Sequence, residues 1–455
     1  MGRTNTVVVG GGCTGVLAAV RLLCHGTGDV TMVEPSPALG SGVAYGTCEP
    51  MHLLNSPADT MSADPDEPGQ FAAWAARHAN LTDPAGFAAR RDYGRYLAEA
   101  LDAAAVDHPG RFTHVRGRAG ALRAADSRIH VVVDGARALR AQRVILAIGH
   151  ASPRHPRPLG ATLTQHPGYV ADPWRPGALD AVPPDAPVLL VGTGLTAVDV
   201  AMSLAARGQR APIHAVSRHG LLPLAHGMRA PQKLPARLPA TDRLSALLRQ
   251  LRADAAAADD WRSVVDGLRP HADAVWNGLS LTQRRTFLRH LHRYWEIHRH
   301  RMAPTVGIAI RGMVLDGALR PHAARLDTVA ADGAWLIATA ASGAHWRVAT
   351  IVNCTGPASA IHSALGRDLL SGGLARMDPL GLGFDVDVDG RLVSEQGQAH
   401  HQILVAGPPR RGQWWETTAV PEIRTQVQKL SLLDMARATT GSGARTAEHA
   451  ARFAA

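Results

Sequence analysis

The chain has 455 residues, 46% of them apolar, enough to build two or three domain cores. Its formal net charge is +10, yet the basic residues are scattered, without the lysine run or aromatic-interleaved strip that marks nucleic-acid binding; such a surface suits small anions. No apolar run approaches about 18 residues, which excludes a membrane helix, and the four cysteines (Cys13, Cys24, Cys48, Cys354) form no CxxC, which excludes a dithiol exchange centre and predicts a reduced, cytoplasmic protein.

The first element is a β-branched apolar run at 6–9, the pattern of a short buried parallel strand. Gly10, Gly12 and Gly15 follow as G-x-G-x-x-G, with Thr14 between them. The first glycine permits the tight turn, the second lets a pyrophosphate approach the backbone, and the third lets the next helix pack on the strand. The spacing predicts a helix over 13–24, whose free N–H groups would face that phosphate. A second strand, VTMVE, closes at Glu34, nineteen residues beyond Gly15, where an acid meets a ribose hydroxyl. An ordinary solvated strand-end acid would look the same. Further on, 128–150 reads as a hairpin and a buried strand ending at Gly149.

A second glycine unit begins at 187–191 and continues through Gly192, Gly194, Leu195 and Ala197, a G-x-G-x-x-A variant. The following strand, PIHAVSR, ends in Ser217 and Arg218 instead of an acid. A carboxylate there would repel a 2′-phosphate, whereas Ser and Arg bond to it, so this site predicts NADPH. A solvated arginine is the plain alternative. Two such sites in one chain predict one bound FAD and one exchanging NADPH, with hydride passing between them.

Residues 232–304 interrupt the alternation. Leu244, Leu247, Leu248 and Leu251 share one helical face, as do Leu288, Leu291 and Trp295, which predicts a helical insertion. Its basic stretch, 284–301, offers Arg299 and Arg301 to a substrate carboxylate, or is simply a solvated face. His292 and Glu296 are four apart, but no third ligand accompanies them, so no metal site is predicted. The hairpin-and-strand pattern returns at 335–357 and ends at Gly356; a last strand reaches Gly407, and Thr417 and Thr418 stand before a helix with Pro421 in its first turn. That helix N-terminus would favour negative charge on a reduced flavin, or is a plain cap.

The fold class predicted is α/β, with two Rossmann-like dinucleotide-binding domains and a helical insertion. Residues 1–160 and 355–436 would form the FAD domain, 161–354 the NADPH domain with its insertion at about 232–304, and 437–455 a flexible tail. GSGVAYG (40–46), HLLNSPADTM (52–61), RRDYGRYL (90–97), GTGLTAVDV (192–200), SRHGLLPL (217–224) and WETTAVPEIRTQ (415–426) together resemble the bacterial FAD/NAD(P)-binding protein family, which is related to the class B flavin monooxygenases. The resemblance implies FAD on Gly10, Gly12, Gly15 and Glu34, NADPH on Gly192, Gly194 and Arg218, and a flavin ring beside Tyr45 and Asn55. Asn55 is then the candidate catalytic donor, or only the cap of its loop. It further implies a monooxygenase that uses molecular oxygen to N-hydroxylate a small polar or acidic amine or amino acid. The competing reading is a reductase passing electrons on without oxygen insertion. Neither a nucleic acid nor a membrane is an expected partner.

Overall fold

The structure, a computed structural model, describes residues 4–160, 163–228 and 243–429. Two parallel sheets organise it. In the first, strands run in the order Arg391–Val393, Ala399–Val405, Arg143–Leu146, Asn5–Val9, Asp29–Val33, Phe112–Val115, all parallel except for the outermost Arg391–Val393. The second follows the order Leu319–Ala323, Ile213–Ser217, Val188–Val191, Thr350–Asn353, Tyr169–Val170, parallel throughout. Their central strands are β-branched or leucine runs buried on both faces, as a parallel sheet between two layers requires.

The two halves repeat one plan. Helix Cys13–His25 and helix Arg90–Asp107 cover one face of the first sheet. A three-stranded antiparallel meander, Ala119–Ala125, Arg128–Val133 and Arg137–Ala141, covers the other. In the second half, helix Leu195–Ala206 takes the helical face, and the meander Leu326–Asp332, Trp335–Ala340, His345–Val348 takes the opposite one. Each meander is one strand longer than the hairpin the sequence pattern suggests.

Two crossovers join the halves. One leaves strand Arg143–Leu146 through Gly149; the other leaves strand Thr350–Asn353 through Gly356. They meet: Ala151 and Ala358 exchange backbone hydrogen bonds of 2.9 and 3.0 Å. Side chains lock the same boundary. Arg90 pairs with Asp199 at 2.6 Å, Arg207 with Glu49 at 2.7 Å, and the buried His52 reaches Ser203 Oγ at 2.9 Å.

The insertion contains helices Leu244–Ala257, Trp261–Leu268, Ala272–Gly278, Leu281–His290 and His292–Arg299. The single basic helix suggested by 284–301 is in fact two, because the chain bends at Leu291. The insertion leans on the first half: Trp276 Nε1 donates to the Gly412 carbonyl at 2.9 Å, and Arg269 pairs with Glu422 at 2.7 Å. The expected tail at 437–455, and the part of the insertion at 232–242, lie outside the described residues. Among the described residues no helix is long and apolar enough to cross a membrane.

Candidate functional site

The first glycine turn is shaped by contacts that a side chain would destroy. Gly10 sits at φ +103°, and a Cβ there would lie 2.5 Å from the Ala147 carbonyl oxygen; one on Gly15 would lie 1.8 Å from the Gly10 oxygen. Gly12 differs. Its nearest neighbour would be Gly42 Cα at 3.5 Å, so the space beside it is open to a ligand. Helix Cys13–His25 begins here with no side-chain cap, leaving its first N–H groups for an anion. Glu34 follows strand Asp29–Val33 and accepts from Gly11 N at 2.8 Å and Ser36 N at 3.0 Å. The acid therefore fastens the glycine turn, with lone pairs left for a ribose.

The C-terminal segment closes over this turn. Gly407 is at φ +73°, and a Cβ on it would strike Thr14 Oγ1 at 2.7 Å. Thr417, fully buried, donates to the Gly407 carbonyl at 2.8 Å and accepts from Gln426 Nε2 at 2.9 Å, while Gln426 Oε1 takes the Gly407 N–H. So Thr14, Gly407 and Thr417, chosen separately from the sequence, form one corner. Half-buried Thr418 stands at the start of the helical stretch 420–429. Gly149 (φ +60°) and Gly356 (φ +87°) face open space. Tyr45 packs edge-on against Tyr93, ring centroids 4.7 Å apart, and burial pushes its phenol well above the ordinary range.

Asn55 is exposed, and its carbonyl lies 3.0 Å from His226 Nε2. Burial and the neighbouring Arg301 push His226 down to about 4, so the neutral ring donates through Nε2 to that carbonyl. A residue of the second half thus fixes the backbone of the Asn55 loop.

At the second turn Gly192 has φ +121° and would collide with the Cys354 oxygen at 2.2 Å. Helix Leu195–Ala206 starts after Gly194, again without a side-chain cap. Ser217 Oγ lies 2.8 Å from Thr193 Oγ1 and accepts from Gly220 N at 3.0 Å, so it shapes the turn. Arg218 is exposed at the strand's end. Sequence reasoning missed Arg293. Helix His292–Arg299 lays its guanidinium over this turn, where it donates to the Thr193 carbonyl at 3.0 Å, Thr193 Oγ1 at 3.1 Å and the Leu221 carbonyl. It stands 4.0 Å from where a Gly194 Cβ would be, the position a pyrophosphate must approach. The basic stretch was the available signal, but only the bend at Leu291 aims this member of it.

Arg299 and Arg301 need correcting as open carboxylate receptors. Arg299 is buried against Glu416 at 2.9 Å, and Arg301 is buried against Asp266. Ions removed from water are held by their partners, so neither guanidinium presents a basic face. A separate polar cluster centres on Glu296 of the same helix. Glu296 joins His292 at 3.1 Å, His300 at 3.0 Å and Arg411 at 3.2 Å. Although burial opposes it, those partners hold the Glu296 carboxyl well below its usual range.

Residues 7–151 match the family model described as FAD-NAD(P)-binding. The matched segment is about the first third of the chain. It contains the first glycine turn, Glu34, Tyr45, Asn55 and Gly149. A search of curated proteins finds no match. Among solved structures, the chain is similar to the ornithine N-hydroxylase of Kutzneria sp. 744, whose structure holds reduced FAD, NADP+ and L-ornithine. The TM-score is 0.65 at 15% identity, covering 96% of this chain and 100% of that one. It also resembles the FAD-bound cadaverine monooxygenase of Erwinia amylovora (TM-score 0.67, 13% identity, 95% and 94% covered) and the ornithine hydroxylase of Pseudomonas aeruginosa (0.62, 13%, 95% and 99%). At these identities the likeness is one of fold, and it extends over nearly the whole chain.

Proposed function

We propose that this protein is an FAD-dependent, NADPH-consuming monooxygenase that N-hydroxylates an amine. One observation carries the reading: two uncapped helix starts behind glycine turns, ending in opposite ribose-side chemistry (Glu34 in one half, Ser217 and Arg218 in the other), in halves whose crossovers are hydrogen-bonded together. The similar structures, hydroxylases of ornithine and cadaverine, support the amine as substrate class.

The first half fits FAD. Gly12 leaves room at the helix start, Glu34 faces the ribose side, and the Thr14–Gly407–Thr417 corner borders the site from the C-terminal segment. Bound there, FAD supplies hydride acceptance and oxygen activation, chemistry no side chain provides. The residues bind, orient and shield. Arg218 takes the 2′-phosphate of NADPH, and Arg293 turns from Thr193 and Leu221 to the pyrophosphate. Asn55, its backbone pinned by His226, presents a neutral amide donor to the reacting region. The overall reaction is R–NH2 + O2 + NADPH + H+ → R–NHOH + H2O + NADP+.

The acidic substrate was implied by the resemblance and given a docking site at Arg299 and Arg301; their pairing with Glu416 and Asp266 removes that site, and the proposal keeps the amine without the carboxylate. Dithiol chemistry finds no support either. The four cysteines are free, and burial pushes the thiols of Cys13 and Cys354 upward, Cys13 to about 12. The test is the amount of hydroxylamine formed per NADPH consumed with a panel of amines. Formation close to one-to-one with at least one amine is expected. NADPH oxidation that is the same with and without every amine, and yields no hydroxylamine, would refute the proposal.

A further inference from the structure

Helix His292–Arg299 of the insertion brings two consecutive side chains to the second glycine turn. Arg293 lies over the turn itself, on Thr193 and the Leu221 carbonyl. Tyr294 follows it and is half exposed. Facing Tyr294 is His219, also exposed, which comes directly after Arg218 beyond the end of strand Ile213–Ser217. The two ring centroids are 5.9 Å apart and the planes are tilted by 41°, so neither ring seals the face of the other.

Single exposed rings are ordinary on a protein surface. This pair differs in coming from two elements and in where they meet. In an open parallel sheet, nucleotides bind outside the carboxyl ends of the strands, and both glycine turn and ring pair lie there. Short contacts hold the parts together. Ser217 Oγ is 2.8 Å from Thr193 Oγ1, and Arg293 donates to that same threonine oxygen at 3.1 Å. Ser217 Oγ also accepts from Gly220 N at 3.0 Å, closing the turn that carries Arg218 and His219. Gly220 has φ +62°, and a Cβ on it would lie 2.8 Å from Ala323 N, so this turn is seated on the edge strand Leu319–Ala323. On the other side, the Tyr294 carbonyl accepts from His298 Nδ1 at 2.8 Å, and the His298 ring packs edge-on against Trp261 at 4.9 Å.

The chemistry of NADPH makes this grouping informative. One ribose carries the pyrophosphate at C5′, the extra phosphate at C2′ and adenine at C1′. A site that takes both anions must therefore meet the base within one sugar of each. Arg293 and Arg218 are the cations at this turn, and each has one of the two rings as its next residue in the chain. The geometry points to Tyr294 and His219 as the seat of the adenine of NADPH, with the insertion forming one wall of the second nucleotide site. The inference rests on the NADPH reading and adds the recognition of the base to it. A flat base stacks on aromatic faces through its π surface and needs no hydrogen-bond partner to do so. The stretch 284–301 thereby acts on the cofactor, through Arg293 and Tyr294, in place of the carboxylate docking expected of Arg299 and Arg301.

The test is calorimetric binding of NADP+, ADP-ribose and 2′-AMP to the FAD-loaded full-length protein. All three probes carry adenine, whereas the two anions are divided among them. Tyr294→Leu is expected to weaken all three to a similar extent, by about five-fold or more, with FAD retained. Tyr294→Phe keeps the ring face and is expected to bind them as the parent does. His219→Leu, at an exposed position, should show the same loss, and it decides the matter should Tyr294→Leu lose FAD. An FAD-retaining leucine variant at either position with parental affinity for 2′-AMP overturns the inference, as does a Tyr294→Phe protein as weak as Tyr294→Leu. The two readings fail distinguishably. A parent that binds none of the probes removes the NADPH site and the seat together. A parent that binds all three, with both leucine variants unchanged, removes the adenine seat alone.

Discussion

Arg293→Ala separates two roles that basic residues can play at the second glycine turn. In the structure the Arg293 guanidinium holds the Thr193 and Leu221 carbonyls, but Thr193 Oγ1 also donates to the Leu221 carbonyl at 2.7 Å. The turn therefore keeps an internal tie when Arg293 is removed, and the change acts mainly on the ligand. A hydrogen bond to a charged group is worth about 1.5–3 kcal/mol, or roughly 10- to 150-fold in affinity. Three probes divide the nucleotide: NADP+ carries pyrophosphate and 2′-phosphate, ADP-ribose only the pyrophosphate, and 2′-AMP only the 2′-phosphate. Measured by calorimetry, Arg293→Ala should weaken NADP+ and ADP-ribose by about ten-fold or more and leave 2′-AMP unchanged. Arg218→Ala should weaken NADP+ and 2′-AMP and spare ADP-ribose. An Arg293→Ala protein that binds ADP-ribose as well as the parent, or loses all three probes equally, refutes the assignment of pyrophosphate to Arg293.

Other expectations follow from the same geometry. Gly12→Ala adds a Cβ at ordinary contact distance, so thermal unfolding should change little while FAD affinity falls by about ten-fold or more; Gly15→Ala drives a Cβ into the Gly10 carbonyl and should lower both. A Gly12→Ala protein with parental FAD affinity would contradict the pyrophosphate seat. Breaking the buried Arg299–Glu416 pair with Arg299→Ala should cost about 3–5 kcal/mol in urea unfolding, and Arg299→Met with Glu416→Leu should restore most of it. If Arg299 instead served an incoming carboxylate, the single change would leave stability untouched. His226 in the folded chain is pushed down to about 4, below the ~6.5 of a free histidine, so between those values the unfolded chain binds the extra proton. Stability should be full above about pH 6.5 and fall as the pH drops toward 4, and His226→Gln should flatten part of that slope in urea titrations.

The glycine turns were legible in the sequence because their residues recur at fixed spacing within a strand–turn–helix unit, with Glu34 and Ser217 at the end of the next strand. The collision that requires Gly15 is local, whereas those that require Gly10 and Gly192 come from Ala147 and Cys354, at the ends of adjoining strands distant in sequence. Arg299 and Arg301 were misread because an isolated stretch of sequence does not carry its partners. Glu416 lies 117 residues from Arg299, and only tertiary folding brings them together. Arg293 was hidden for a related reason, since a continuous helix over 284–301 would not aim it at a turn 100 residues earlier. His52 shows the same limit, because the serine that holds it is 151 residues away in the other half.

The central claim is that one chain seats FAD in its first half and takes electrons from NADPH seated in its second. Anaerobic titration of the FAD-loaded protein, followed by flavin absorbance, tests this most directly. One equivalent of NADPH should bleach the flavin, with NADH acting more slowly and Arg218→Ala erasing the difference. A flavin that stays oxidised in the presence of excess NADPH, or a protein that takes up no FAD, would contradict it.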